Sequence, residues 1–275
     1  MINNFPFTKI FPETKLAVEA VTQAGEAIMK IYNQDFSVSR KNDNEPITEA
    51  DIKSNEIIEN LISKSKHPIL SEESKDNKEL RINSKKVWVV DPLDGTSDFV
   101  NKTGEFTIMI SLVEENKPIL GIIFVPLENA LFVAQKDQGA FQFSGGKWSR
   151  LQVNENRDLK SCKAVGSRFH KNEKEDQFLK KLKISNFTTR GSSLKVVDIC
   201  SGKADLYFTF TDKIKQWDTC ASNCLVTEAG GKMTDMLGVP LKYNIEKLNH
   251  QNGILVTNGF IHNELTQRYS EFLNY

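Results

Sequence analysis

Between positions 13 and 32 the apolar residues Leu16, Ala17, Ala20, Val21, Ala24, Ala27, Ile28 and Ile31 recur at the 3.6-residue spacing of one helix face. The spacing predicts an amphipathic helix there. A second stripe, Ile52, Ile57, Ile58, Leu61 and Ile62, follows Thr48, whose hydroxyl suits an N-cap. The period then changes. Residues 67–70 read as a short strand, and Val87, Trp88, Val89 and Val90 have no polar residue between them, as in a strand covered on both faces. The apolar runs 106–113 and 119–125, separated by Glu-Glu-Asn-Lys-Pro, predict a hairpin, and 131–134 with 140–143 across Lys-Asp-Gln-Gly a second. The second half predicts a strand at 164–166, a charged helix at 173–182, a helix at 192–200, a strand at 206–210 and a helix at 218–229 that Gly230-Gly231 ends.

This succession predicts an α+β fold of alternating helix and sheet layers with antiparallel hairpins in the middle. The Gly- and Ser-containing stretch 144–150 marks the expected boundary between an N-terminal lobe, 1–150, and a C-terminal lobe, 151–275, within one compact catalytic unit. At 275 residues the chain is long enough for a sizeable core. Its 36 basic and 36 acidic residues balance, so net charge points to neither a nucleic acid polymer nor a membrane surface as partner. Four cysteines without a C-x-x-C pair suggest a reduced, cytoplasmic protein, and Cys220 and Cys224 suit an apolar helix face better than a soft metal. No segment reads as a secretion signal or a membrane span.

The chemistry gathers where the apolar run stops. Asp91 and Asp94 follow Val90, with Pro92 fixing φ between them and Gly95 free to bend. Acids also stand at the ends of other predicted elements: Asp51, Glu72, Glu73 and Asp218. Two carboxylates about 4 Å apart repel by roughly 4 kcal/mol at an effective dielectric of 20, so a convergent set needs protons or cations. An all-oxygen set without organised His or Cys suits Mg²⁺, and the Gly95 and Thr96 N–H groups suit a phosphate. Taken singly, each piece also has a plain reading: Thr-x-x-Asp as a helix cap, Glu-Glu as a solvated pair, Asp-Pro as a turn.

Together, Thr48-x-x-Asp51, Glu72-Glu73, Trp88-x-x-Asp91-Pro92-x-Asp94-Gly95-Thr96-x-x-Phe99, and Trp217-Asp218-x-x-Ala221 before Glu228-Ala229-Gly230-Gly231 resemble the inositol monophosphatase superfamily of metal-dependent, lithium-sensitive phosphatases. The match spans nearly the whole chain in the right order. It implies a layered α-β-α-β-α sandwich and two or three Mg²⁺ ions per site. Glu72, Asp91 and the Leu93 carbonyl would hold one ion, and Asp91, Asp94 and Asp218 a second. Asp51 and Thr96 would orient and deprotonate the attacking water, with Glu73 just outside the ligands, and phosphate would pass directly to water.

Within the superfamily, Gly104-Glu105-Phe106-Thr107, Ser167-Arg168-Phe169-His170 and Gly191-Ser192-Ser193-Leu194-Lys195 resemble the 3'(2'),5'-bisphosphate nucleotidase branch, which removes the 3'-phosphate of adenosine 3',5'-bisphosphate, a by-product of sulfur metabolism. That implies nucleotide contacts at Ser167, His170, Gly191 and Lys195, besides Gly95, Thr96 and Asp218 at the phosphate. From the residues themselves, Gly191-Ser192-Ser193 opens a helix whose N–H groups suit an anion, and Lys195 adds a charge, or Ser192 or Ser193 is a plain cap, Lys195 solvated and His170 a surface histidine. Thr211 stands where inositol monophosphatases carry a sugar-binding glutamate, with Asp212 beside it. The competing readings are an inositol or sugar phosphatase and a non-catalytic phosphate binder on the same fold; the resemblance suits a monomer or homodimer.

Overall fold

The computed structural model describes residues 2, 4–41, 45–169 and 172–273. Helix α1 (Pro12–Tyr32) starts on a proline, whose missing N–H would have no helical partner there, and it buries Ala17, Ala20, Val21, Ala24 and Ile28. Strands β1 (Val38–Arg40) and β2 (Pro46–Thr48) form a small antiparallel ribbon that feeds α2 (Glu49–Ile62). Thr48 and Asp51 close a reciprocal capping box at its start.

The next elements are β3 (Ile69–Ser71), α3 (Lys78–Ile82), β4 (Lys86–Asp94), α4 (Thr96–Val100), β5 (Thr107–Glu114), β6 (Lys117–Val125), β7 (Ala130–Gln135), β8 (Gly139–Ser144) and β9 (Lys147–Arg150). β3 to β9 form one seven-stranded sheet in chain order, with β3 parallel to β4 and every later pair antiparallel. Both expected hairpins are present. The stretch 144–150 is the last hairpin of this sheet, in which Gly145 and Gly146 supply the positive φ of the turn, and the chain leaves the sheet after Arg150.

The second half comprises β10 (Lys163–Ser167), α5 (Glu173–Leu182), β11 (Asn186–Arg190), α6 (Leu194–Cys200), β12 (Leu206–Thr209), α7 (Gln216–Glu228), β13 (Lys232–Thr234), β14 (Ile254–Thr257) and α8 (His262–Leu273). Its five-stranded sheet has the order β11-β10-β12-β14-β13, parallel around β10 and antiparallel around β14.

Among the described residues, three of the four apolar cores stack these elements into five layers, and the fourth packs Cys220 of α7 and Tyr243 against Leu70, Val87, Val89 and Val113 of the large sheet. The first joins α1 and α2 to one face of the large sheet, the second buries α6 and α7 between the two sheets, and the third lies under α5 and α8. The α-β-α-β-α sandwich follows. Gly121 of β6 lets α7 approach the large sheet: a Cβ there would lie 2.5 Å from the Ala221 carbonyl oxygen and 2.7 Å from the Cys224 Cβ. Cys224 is a buried packing residue of that contact, and Cys220, also buried, packs in the cluster of Val87, Val89 and Val113. Among the described residues no helix is long and apolar enough to cross a membrane.

Candidate metal and phosphate site

The site starts from an irregularity in β4. Opposite β5, Asp91 pairs with Met109 and Asp94 with Thr107, so three steps along β4 match two along β5. Residues three apart on a regular strand face opposite sides, and the extra residue turns Asp94 back to the side of Asp91. Pro92 sits inside the bulge, where its missing N–H breaks no ladder, and its carbonyl accepts from Ser54 Oγ of α2 at 2.7 Å. The turn after β3 brings Glu72, and the first turn of α7 brings Asp218. Carboxylate oxygens of Glu72, Asp91 and Asp218 lie within 4.8 Å of one another.

Each aspartate is fixed through one oxygen by a backbone N–H, which lies within three positions for Asp51, Asp91 and Asp218 and 99 positions away for Asp94. Asp51 Oδ2 accepts from Thr48 N at 2.8 Å and from its hydroxyl at 2.6 Å. Asp91 Oδ1 accepts from Leu93 N at 3.1 Å, and Asp218 Oδ2 from Lys215 N at 2.7 Å. Asp94 Oδ2 accepts from Ser193 N at 2.6 Å and Ser192 Oγ at 2.5 Å. One oxygen orients the group while the second is left for other partners. For Asp51 that partner is Thr96, whose hydroxyl donates to Oδ1 at 3.0 Å and also reaches the Leu93 carbonyl at 3.3 Å.

The electrostatics are those of crowded acids. Burial, then the charges of Glu72, Asp94 and Asp218, push the Asp91 carboxyl well above the usual range. Burial likewise raises Asp218, with Glu72 adding to it. Glu72 is pushed up to about 7, burial outweighing its pairing with Lys41. Burial also raises Asp51 against the hydrogen bonds from Thr48 and Thr96, and Glu73 against Lys41. Lys41, which the sequence reading did not single out, places Nζ 2.7 Å from Glu72 and 2.5 Å from Glu73. Although burial disfavours its charge, the two glutamates hold it protonated. A set of convergent carboxylate oxygens whose charge is opposed first by burial and then by one another fits a hard divalent cation such as Mg²⁺.

A cleft of about 1350 Å³ opens over this cluster, with Gly95, Thr96, Ser167, Gly191 and Lys195 in its wall. His170 lies outside the described residues. Gly95 has φ +90°, which a side chain rarely adopts, and it turns β4 into α4. The Gly191-Ser192-Ser193 segment differs from expectation: α6 starts at Leu194, and two of the three N–H groups serve the chain's own carboxylates, Gly191 that of Glu105 at 2.7 Å and Ser193 that of Asp94. Lys195 is half-buried and donates to the Ser192 carbonyl at 2.6 Å. Burial depresses its pKa against the pull of Asp94, Asp98, Glu105 and Asp218. Thr211 lies in the cleft wall and Asp212 is exposed.

Fold and donor set define a layered α+β protein built around a cluster of carboxylate oxygens that could hold a cation. The sequence profile of the inositol monophosphatase family matches residues 11–273, and the chain belongs to that family. It is 39% identical over 226 residues to the 3'(2'),5'-bisphosphate nucleotidase CysQ of Buchnera aphidicola subsp. Acyrthosiphon pisum, covering 81% of this chain and 84% of that one. To the enzyme of the same name from Escherichia coli K12 it is 36% identical over 224 residues, 80% and 89% of the two chains. Among solved structures, CysQ from Bacteroides thetaiotaomicron superposes with a TM-score of 0.78 at 31% identity, over 90% of this chain and 98% of that one. The Thermotoga maritima IMPase reaches a TM-score of 0.81 over 96% and 99%; at 24% identity it shows the fold alone.

Proposed function

We propose that this protein is a Mg²⁺-dependent 3'(2'),5'-bisphosphate nucleotidase that releases the 3'-phosphate of adenosine 3',5'-bisphosphate to water. The observation that carries the reading is the meeting of Glu72, Asp91 and Asp218 at one point of the cleft that Thr96, bonded to Asp51, also lines. The likeness to the CysQ proteins supports the nucleotide as substrate.

Glu72, Asp91, the Leu93 carbonyl, Asp94 and Asp218 would hold two or three ions. Bound Mg²⁺ supplies charge neutralisation at the phosphoryl oxygens and acidity at a water. The chain's own residues do the rest. Asp51, pinned at Oδ2 by Thr48, keeps Oδ1 on the Thr96 hydroxyl, so a proton leaving the attacking water passes to Thr96 as Thr96 gives its own to Asp51. Burial raises the basicity that this role needs. Gly95 and Thr96 receive the reacting phosphate, Glu73 steadies Glu72 through Lys41, and Ser167, His170, Gly191 and Lys195 meet the rest of the nucleotide. Phosphate release from adenosine 3',5'-bisphosphate, inositol 1-phosphate and fructose 1,6-bisphosphate, measured with Mg²⁺, tests this. The bisphosphate nucleotide should give the highest kcat/KM, and preference for either other ester would overturn the assignment.

A further inference from the structure

Glu105, two residues before β5, faces across to the second half of the chain. Both of its oxygens are engaged there. Oε2 accepts from the Gly191 N–H at 2.7 Å and from Arg168 Nη2 at 2.5 Å, and Oε1 accepts from Arg190 Nη1 at 2.8 Å. Arg190 is tied in turn to Asp198 of α6 at 3.0 Å. Burial would raise the Glu105 carboxyl, but the Arg168, Gly191 and Arg190 contacts outweigh it and hold the group below the usual carboxylate range.

The segment this carboxylate grips is not one the chain adopts by default. Ser192 has φ +53°, a left-handed conformation uncommon for a residue with a side chain. Gly191 beside it has no room for a Cβ, which would lie 2.6 Å from the Asp98 carboxyl carbon. The same turn presents Ser192 Oγ and Ser193 N–H to one oxygen of Asp94, while Thr107 Oγ1, from the strand after Glu105, sits 2.7 Å from Ser192 Oγ and 2.8 Å from Ser193 Oγ.

We propose that Glu105 is a positioning residue for the cation site: by holding Gly191, Arg168 and Arg190 it keeps the 191–193 turn in its left-handed form, and that turn aims Asp94. The inference rests on Asp94 being a metal ligand. Partners that orient a ligand carboxylate typically change metal affinity by about 10–100-fold, which sets the expected effect. A mere staple between the two halves would lower the melting temperature and leave metal affinity alone.

The test is Mg²⁺ binding by calorimetry on the full chain without substrate, with melting temperature recorded separately. Glu105→Gln, which keeps the volume and loses the charge, should weaken Mg²⁺ binding by about 10–100-fold. Ser192→Gly, which tolerates the same φ but loses the hydroxyl bond to Asp94, should also weaken it. The double variant should lose less than the product of the two, because both act on one carboxylate. Wild-type affinity in Glu105→Gln, or losses that multiply in the double variant, would overturn the proposal. If Glu105→Gln does not fold, Arg190→Gln removes the partner of Oε1 instead; weaker Mg²⁺ binding supports the proposal and unchanged binding overturns it. Failure of the wild type to bind Mg²⁺ would remove the metal-site reading and this inference together, whereas binding by the wild type with no change in the variants removes only the inference.

Discussion

At the scale of single residues, the plain and the chemical readings of the acids turn out to be compatible. Asp51 is a helix cap through Oδ2 and a partner of Thr96 through Oδ1, and Asp218 is held by the Lys215 N–H at the start of α7 while it faces Glu72 and Asp91. Motif spacing made these residues legible because local capping fixes where each one points. Lys41, Arg168 and Arg190 were not legible as partners, since their contacts with Glu72, Glu73 and Glu105 span 31 to 85 positions and no local pattern records them. Asp91→Asn should reduce turnover to background and weaken Mg²⁺ binding while raising the melting temperature of the metal-free protein, because it removes a buried carboxyl that must either hold a proton or carry a charge among like charges. Calorimetry and thermal melts with chelator check both halves; a lower metal-free melting temperature would mean that Asp91 stabilises the fold by itself. Lys195→Ala should lower kcat/KM for adenosine 3',5'-bisphosphate by about tenfold to more than a hundredfold, the loss of one charge-assisted contact. A small monoester should lose much less, and an equal fall for both would place Lys195 in the general field of the site.

At the scale of elements, strands and helices with strong periodicity were readable, and the site depends on how two of them meet. α1, α2, the paired hairpins and α7 announce themselves by apolar spacing. β11 does not: Asn186, Phe187 and Thr188 are exposed on the edge of the small sheet, so no buried face imposes alternation on the sequence. β1, β2 and β13 have three residues each, too few to show a period. The bulge in β4 left a trace only in Pro92, whereas the close approach of α7 to β6 left one in Gly121. Gly121→Ala would press a methyl against the Ala221 carbonyl and the Cys224 side chain, and backbone there has little freedom to yield. We expect a destabilisation of about 1–3 kcal/mol by denaturant unfolding. Mg²⁺ affinity should fall with it, since α7 carries Asp218. Full stability in Gly121→Ala would show that the helix can shift outward freely, and unchanged Mg²⁺ affinity would show that Asp218 does not depend on this contact.

At the scale of the whole molecule, the acids that form the site oppose folding when no cation is bound, and this links stability to pH and Mg²⁺. Glu72, Asp91 and Asp218 all have folded-state pKa values above their unfolded ones, Glu72 moving from 4.5 to about 7. The folded protein therefore retains protons that the unfolded chain releases, and stability is lost as pH rises from about 4.5 through about 7. Two buried histidines act in the opposite sense over nearly the same range. Burial depresses His250 and His262 from 6.5 to about 4, so their contribution is lost as pH falls through that window. Metal-free melting temperature alone thus mixes the two, but the histidines bond to Thr219 and to Thr234 and Thr257 and are not among the carboxylates that would hold Mg²⁺. The difference between melts with Mg²⁺ and with chelator isolates the acids. It should be small near pH 5, where ligand protons compete with the ion, and should grow up to and beyond pH 7. At a hundredfold excess over Kd it should approach about 2.7 kcal/mol, or roughly 5–10 °C for a chain of this size. In Asp91→Asn the growth with pH should be largely lost. A Mg²⁺-dependent shift that stays flat from pH 5 to 8 would mean that the ion binds elsewhere than among these carboxylates.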